Sequence, residues 1–413
     1  MPEKFLTTLS RGYRAFPSRA LLLLFIPVAL LSIAQLASAL FESSGTLPNL
    51  RWAQRLNPFD HHPALLLADL DSGRESAHWE RVRALHPLYA PAWIRLGLHH
   101  ETQGRVAEAE RTLLHAASLD RTFLPEWTLA NFYFRQGRHD RFWDHARRAV
   151  SVYQGDLSGV FQLCLRVEAD PLRVWERLVP PHPPARMDLM RVLLSSGRID
   201  AAARVAGLVA TAHLRDTREV LLDSCVQAIG RGDAASALAF WNAAAGNGWI
   251  TRPILEPAKG VLLADGAFQH PSMGACFDWR TPPQNGVSFR AGAPAGLRIE
   301  MNGRQDARAT LVSLPIPVEP RRRYRLTWRY TTELGHNSAR PAWRINGSVM
   351  AEWQTVMPNF EDAFEFDSGS RRLVELTLTT TPAPGTTRPE GRLHLDWVAI
   401  IPITASPAAA NHM

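Results

Sequence analysis

Lysine is nearly absent from this 413-residue chain, which contains only Lys4 and Lys259. No Gly-Lys pair occurs, and this excludes a phosphate-binding loop that ends in lysine. The formal net charge of +7 comes almost wholly from arginines, which are interspersed with acidic residues apart from the run at 321–323. Because no basic stripe covers one face, we predict no nucleic-acid partner.

Cysteine is also scarce, with three residues and no Cys-x-x-Cys pair. The spacing of Cys164, Cys225 and Cys276 to histidines matches no metal site, so we predict no metal and no cofactor. Three buried, small apolar side chains are the simpler interpretation. In an oxidising compartment, a disulfide between Cys164 and Cys225 is the alternative.

Motifs of hydrolytic enzymes are missing as well. No Gly-x-Ser-x-Gly turn occurs, and His100-Glu101 lacks a second histidine four residues beyond the first. The adjacent pairs His61-His62 and His99-His100 point about 100° apart on a helix, which is unsuited to one metal. We therefore predict that the protein is not an enzyme.

Charge is absent from Ala20 to Leu40, a run of mainly Leu, Ile, Val and Ala. At about 1.5 Å per helical residue, this run is long enough for a hydrocarbon core of about 30 Å. Basic residues precede it, which predicts that residues 1–19 are cytoplasmic and that the body is extracytoplasmic. The basic residues are Lys4, Arg11, Arg14 and Arg19.

A cleavable signal peptide is the alternative, because Ala37-Ser38-Ala39 fits a small-residue cleavage site. Both interpretations export the body of the protein. The length of the run favours a retained anchor at 20–40, with a single pass through a bacterial inner membrane and a periplasmic body. Residues 41–58 are predicted to be a linker.

A repeated turn signal follows. Gln103-Gly104-Arg105 returns as Gln136-Gly137-Arg138, and Ser196-Gly197-Arg198 is a later variant. A period in the low thirties indicates stacked pairs of helices, and a last pair is predicted around Gly232. Apolar residues at three- and four-residue steps flank each glycine, which predicts a helical repeat domain over 59–252.

These units resemble the tetratricopeptide repeat. The departures from its signature are His100 at an aromatic position, Arg121 in place of proline and bulky Phe142 in place of a small residue. The resemblance implies a superhelix that binds an envelope protein. The signature residues are Trp93, Leu96, Gly97, Gly104, Ala109, Ala116, Tyr133, Gly137, Ala149, Gly197 and Gly232.

Alternation replaces helical spacing near Pro253, as in 323–330, where every second residue is Tyr, Leu or Trp. Turn pairs such as Asn302-Gly303 and Asn346-Gly347 separate the short strands. The pattern predicts an antiparallel β-sandwich over 253–405 and a tail at 406–413.

This half resembles galactose-binding-like jelly rolls, which include many carbohydrate-binding modules. The resemblance rests on 262–268, on Phe277-Asp278-Trp279-Arg280 and on 393–400. It implies a structural calcium, but Gln269 occupies the position of one expected acid and leaves only Asp396 as a calcium candidate.

Glycan-binding modules stack sugar rings on exposed aromatic side chains. Five tryptophans of the sandwich are candidates, namely Trp279, Trp328, Trp343, Trp353 and Trp397. We favour Trp279, Trp343 and Trp353, although tryptophans on alternating strands also form the core of such sandwiches.

The combined pattern is a multidomain α-then-β chain with a transmembrane helix, a tetratricopeptide-like solenoid and a jelly roll. It predicts a non-enzymatic, membrane-anchored scaffold that binds an envelope protein through the repeats, with polysaccharide as a second candidate partner through the sandwich. By analogy of architecture, the role is in exopolysaccharide or O-antigen assembly and export. The alternatives are a glycan-processing enzyme, which needs paired acids in one cleft, and a secreted carbohydrate-binding protein.

Overall fold

A computed structural model describes residues 18–178, 180, 182–291, 296–354, 356–381 and 384–403. The predicted tail and nearly all of the predicted cytoplasmic segment lie outside these residues. Helices fill the N-terminal part and antiparallel strands the C-terminal part, which confirms the predicted fold class. The described residues form two compact units, the first comprising 18–155 with 177–178 and the second comprising 156–176 and the residues from 180 onward.

The first unit is a series of antiparallel helix pairs, in which each odd-numbered helix packs against the next helix along the chain. The pairing follows from short connections between amphipathic helices. The helices are α1 (Ser18–Ser43), α2 (Leu47–Leu56), α3 (His62–Leu70), α4 (Glu75–Leu85), α5 (Ala90–Thr102), α6 (Val106–Leu119), α7 (Phe123–Arg135) and α8 (His139–Val152).

Glycine reverses the chain between the two helices of a pair. Gly104 has a left-handed φ of +73°, and its N–H donates to the Glu101 carbonyl at 2.9 Å. The N–H of Arg105 donates to the His100 carbonyl at 2.9 Å. These two bonds form a Schellman motif, which places glycine where a Cβ atom is disfavoured. Gly137, Gly197 and Gly232 have φ values of +69°, +74° and +73°.

The predicted linker at 41–58 is wrong, because α2 occupies most of it. Pro48 lies in the first turn of α2, where a backbone N–H would have no acceptor within the helix, so the missing N–H of proline costs no hydrogen bond. Leu50 and Ala53 are fully buried, and the Ser38 hydroxyl on α1 donates to the Ala53 carbonyl at 3.0 Å. The helix that contains the apolar run is therefore itself one half of the first helix pair.

Helix α1 contains the only candidate membrane span among the described residues, Phe25–Ser43, with a mean hydropathy of 1.7. Its large apolar side chains from Phe25 to Leu40 are exposed. Length and composition fit a membrane crossing, although a signal sequence meets the same criteria.

The second unit begins with further short helices. The last two residues of one of them, α10, are assigned to the first unit. The Asp233 carboxylate caps one of them by accepting the Ser236 N–H at 3.1 Å. The helices are α9 (Ser158–Val167), α10 (Pro171–Leu178), α11 (Pro184–Ser195), α12 (Ile199–Arg204), α13 (Ala206–Ala210), α14 (Thr217–Gly230) and α15 (Ala234–Gly246).

Nine described strands form two antiparallel sheets, in the orders β1-β2-β9-β4-β7 and β3-β8-β5-β6. The alternating apolar residues of both sheets face one shared core, as in a β-sandwich. The strands are β1 (Val287–Ala291), β2 (Leu297–Asn302), β3 (Thr310–Pro317), β4 (Arg323–Leu334), β5 (Arg340–Ile345), β6 (Ser348–Glu352), β7 (Val356–Asp367), β8 (Leu373–Thr381) and β9 (Glu390–Pro402).

Within the second unit, the last helix pair is joined to the sandwich by direct contacts. The Trp241 indole of α15 donates to the Pro253 carbonyl at 3.1 Å, and its ring meets Phe277 edge to face at 5.9 Å. The Asn242 amide both donates to and accepts from the backbone of Leu255, at 2.9 and 2.8 Å. The connection between helices and strands is therefore packed and hydrogen-bonded.

A buried ion cluster lies in this connection. The Arg252 guanidinium is 3.0 Å from the Asp278 carboxylate and 3.9 Å from the Asp265 carboxylate. It also donates to the Pro271 carbonyl at 2.9 Å. All three charged side chains are nearly inaccessible to water. Removal of the arginine leaves Asp278 without its cationic partner, whereas Asp265 keeps the His270 ring at 3.3 Å.

We predict that Gly197→Ala lowers the free energy of unfolding by about 1–2 kcal/mol, because alanine disfavours the left-handed backbone. A Cβ atom at Gly197 meets nothing within 4 Å, so the loss reports backbone strain alone. Gly159→Ala is the matched control, in open space on helix α9, and we expect stability to be unchanged or slightly raised. Urea unfolding in detergent micelles measures both. An equal effect of the two substitutions contradicts the turn assignment.

We predict that Arg252→Met lowers the free energy of unfolding by about 3–5 kcal/mol, because it leaves the buried Asp278 carboxylate without its cationic partner. Arg325→Met is the control, since Arg325 forms an exposed ion pair with Glu365 at 2.7 Å. We expect the control to cost at most about 1 kcal/mol. Urea unfolding followed by tryptophan fluorescence compares the two, and similar small losses contradict a stabilising role for the cluster.

Candidate binding sites

A groove of about 550 Å³ lies along the first helices of three consecutive pairs, α3, α5 and α7. Its walls are mainly apolar, and Leu66 and Leu124 are 37% and 52% exposed. Exposed leucines that line one apolar groove are typical of an interaction surface. We call this surface the α3–α5–α7 groove; its apolar walls include Leu66, Ile94, Leu98 and Leu124.

The α3–α5–α7 groove also carries two charged side chains, Asp69 and Arg95, both exposed. The Arg95 guanidinium lies 5.8 Å from the centroid of the Trp79 ring, which restricts its position. A ligand in this groove therefore meets apolar walls with one fixed cation and one anion. This combination suits a peptide segment better than a highly charged polymer.

The predicted signature residues of the first repeat build the α5–α6 pair rather than the groove wall. A Cβ atom at Gly97 would lie 2.7 Å from the Leu113 side chain, so the two helices cross closely there. Leu96, Ala109 and Ala116 are buried in the pair. The partly buried Trp93 ring packs on His115 at 4.2 Å and donates to the Pro87 carbonyl.

In the next repeat, Tyr133 links its own pair to the preceding one. Its hydroxyl donates to the Glu110 carboxylate at 2.9 Å, and Arg138 pairs with the same carboxylate at 2.7 Å. Burial, together with the bond to Glu110, raises the pKa of Tyr133 to about 12, so the phenol stays protonated. Ala149 is buried. The groove residues lie between the signature positions, and sequence reasoning missed them.

The three favoured glycan-stacking residues are buried, and this prediction is corrected. Trp279 is 3% exposed, while Trp343 and Trp353 are fully buried. The ring of Trp353 packs against those of Trp328 and Tyr330, at 6.2 and 4.1 Å. Trp343 points inward from β5, whereas Trp279 and Trp353 come from segments outside the strands that pack into the same core. No ring face is therefore free for a sugar.

Trp397 is the one described sandwich tryptophan that is not buried. It lies on the outer face of β9 opposite Arg329 of β4, where the register of the two strands shifts. The Arg329 guanidinium is 5.8 Å from the centroid of the indole ring. Such a shift changes the direction in which the local side chains point. A strict alternation of inward and outward residues, read from the sequence, does not predict this change.

Ion-paired side chains lie on β9 and on the neighbouring strands β4 and β7. Arg329 pairs with Glu361 on β7 at 3.2 Å, and His394 contacts Asp396 at 3.0 Å on β9. We call Trp397 and these four residues the Trp397 face. Asp396 thus has a histidine partner, and within the described ranges no group of three or more His, Cys, Asp or Glu residues is arranged to hold a metal ion.

A second cleft of about 550 Å³ on the same sheet contains two acids, Glu300 and Glu390, with Asn302 and Arg392. The cross-strand register pairs Glu300 with Arg392 and Asn302 with Glu390. Both carboxylates are exposed to solvent. In lysozyme the general acid lies in a hydrophobic pocket, whereas neither carboxyl of this cleft is buried.

No protein-family model and no curated protein sequence matches the chain. Among solved structures, it is similar to YrrB, described as a tetratricopeptide protein with an unusual peptide-binding site. The identity is 15%, the match covers 48% of this chain and 91% of YrrB, and the TM-score is 0.24. PilF of Pseudomonas aeruginosa has 13% identity, coverage of 53% and 90%, and a TM-score of 0.25.

The chain is also similar to the CBM22-1 xylan-binding domain of Paenibacillus barcinonensis Xyn10C. The identity is 15%, the match covers 36% of this chain and 97% of that domain, and the TM-score is 0.25. The neighbours thus include tetratricopeptide proteins and carbohydrate-binding modules, the two families that the sequence resembles. At these values the likeness carries no inference about function.

Proposed function

We propose that this protein is a membrane-anchored, extracytoplasmic scaffold whose α3–α5–α7 groove binds a segment of an envelope protein. The observation that carries the proposal is the packing of the apolar helix α1 against α2, which makes α1 part of the first helix pair. An anchor and a protein-binding groove are thereby joined without a flexible connection. Localisation to a bacterial inner membrane, with the N-terminus in the cytoplasm, is part of the same proposal.

The contacts of α1 favour a retained anchor over a cleaved signal. The cleavage-like Ala37-Ser38-Ala39 lies inside α1, and Ser38 is 2% exposed against α2. Cleavage after Ala39 removes this contact and uncovers the buried Ala53. A signal peptide that is discarded needs no such fit with the mature protein.

The chemistry of the α3–α5–α7 groove defines the partner segment. Leu66, Leu98 and Leu124 offer apolar contacts, which suit apolar side chains repeated along a helix or strand. Arg95 offers a charge for an acidic side chain at one point. The proposal is non-enzymatic, and the combination with a sugar-module-like sandwich suits exopolysaccharide or O-antigen assembly.

A second candidate function is glycan binding through the Trp397 face. A partly exposed indole offers a flat apolar surface to a pyranose ring, and Arg329, His394 and Asp396 supply donors and acceptors for hydroxyl groups. A glycan-processing enzyme is the less supported alternative, since neither Glu300 nor Glu390 lies in the kind of hydrophobic pocket that holds the general acid of lysozyme.

For the groove, we predict that a photo-crosslinking amino acid at position 98, in native membranes, forms an adduct with an envelope protein. Combining Leu66→Asp with Leu124→Asp reduces this adduct at least about tenfold, because it places charge on the apolar wall. Mass spectrometry of the adduct identifies the partner.

The matched control combines Leu114→Asp with Val152→Asp, two exposed apolar positions on the second helices α6 and α8. We expect this control to keep the adduct. Persistence of the adduct in the groove variant, or its absence from the unmodified groove, contradicts the proposal.

For the Trp397 face, we predict that the full-length protein binds at least one envelope polysaccharide on a glycan array. Trp397→Ala weakens binding at least about tenfold, because the stacking surface is lost. Ile401→Ala is the control, since Ile401 is an exposed apolar residue on the same strand. Failure of the folded wild type to bind glycans, or unchanged binding by the tryptophan variant, rejects this second function.

A further inference from the structure

Helix α2 runs back along the outer end of α1. The chain reverses near Gly45, and Ser38 of α1 lies opposite Ala53 of α2. Ala34 and Ala37 of α1 are partly buried on the same helical face as Ser38. The antiparallel course therefore carries α2 toward the apolar part of α1 rather than away from it.

The part of the apolar run that precedes the contact with α2 is short. From Ala20 to Ile33, just before Ala34, the helix rises about 21 Å, whereas a hydrocarbon core is about 30 Å thick. If α1 spans the membrane, some of its residues that pack against α2 must therefore lie within the outer leaflet. Helix α2 is then brought to the lipid interface by its own packing.

The exposed side of α2 and the loop after it fit such an interface. Trp52 is 51% exposed, and Phe59 in the following loop is 84% exposed. The Arg55 guanidinium lies 5.1 Å from the centroid of the Trp52 ring. Aromatic rings with an adjacent cation match the boundary between acyl chains and anionic headgroups.

Polar contacts fix the orientation of this helix pair. Arg51 of α2 donates to the Asp71 carboxylate at 3.0 Å, and Glu42 of α1 pairs with His62 of α3 at 2.7 Å. The bonds from His78 and Arg51 hold the pKa of Asp71 below its ordinary value, so the carboxylate stays charged. The aromatic side of α2 is therefore held in one direction relative to α1 and α3.

We propose that α2 and the loop after it form a second membrane contact, with Trp52 and Phe59 in the outer lipid interface and Arg55 at lipid phosphates. This inference rests on the proposed retention of α1 as an anchor. It fixes the orientation of the first helix pairs at the bilayer surface.

Nitroxide labels measure this contact in the purified full-length protein, reconstituted into nanodiscs of phosphatidylethanolamine and phosphatidylglycerol. The labelled variants are Phe59→Cys, Leu30→Cys and Leu88→Cys; the three native cysteines are buried, which protects them from labelling in the folded protein. Leu30 is an exposed residue of α1, and Leu88 is an exposed residue between α4 and α5. Collision rates with oxygen and with a water-soluble nickel chelate report depth, and circular dichroism checks folding.

We expect the label at 59 to collide severalfold less with the nickel chelate than the label at 88, and the label at 30 to be the most protected. Equal nickel collision at 59 and 88, with 30 protected, overturns the second contact and leaves the anchor intact. A label at 30 that is open to nickel overturns both the anchor and this inference. No partner protein is present in the nanodisc, so protection at 59 reports lipid.

Discussion

The packing of α2 against the outer end of α1 is the contact on which the proposed arrangement depends. It buries small residues of an otherwise exposed apolar helix and hydrogen-bonds Ser38 to Ala53 across the pair. If the contact forms in the mature protein, the apolar helix is a structural part of the repeat domain. The groove on α3, α5 and α7 then begins at the helix pair that directly follows the pair containing the anchor.

A comparable constraint operates within the second unit. The buried Arg252 pairs with Asp278, and the side chains of Trp241 and Asn242 bond to the chain that leads into the sandwich. The last helix pair and the sandwich therefore meet through packed side chains. The Trp397 face, on the outer side of the larger sheet, is thus presented by a rigid connection rather than a free tether.

Features that depend on local backbone chemistry could be predicted from the sequence. The left-handed turns at Gly104, Gly137, Gly197 and Gly232 follow from a conformation that glycine adopts at little cost. The Asn346-Gly347 pair likewise has φ values of +48° and +86°, as a tight hairpin requires. The alternating strands and the order of helices before strands are confirmed.

Features that depend on tertiary packing could not be predicted in the same way. The linker prediction failed because a short helix that opens with proline resembles a turn-rich segment until its partner α1 is known. Trp353 is buried and Trp397 is partly exposed, although both are tryptophans of the sandwich. The difference comes from packing between the sheets and from the register shift at Trp397, which the residue type alone does not reveal. The groove was missed because its residues come from three separate helices.

The intact mass and N-terminal sequence of the protein purified from its native membranes test retention of α1 most directly. The account predicts one membrane-bound species that retains residues 1–39, with a mass near the 46.1 kDa of the full chain. A mature protein that begins at Leu40 would contradict it, because such a species lacks Ser38 and the span that carries it.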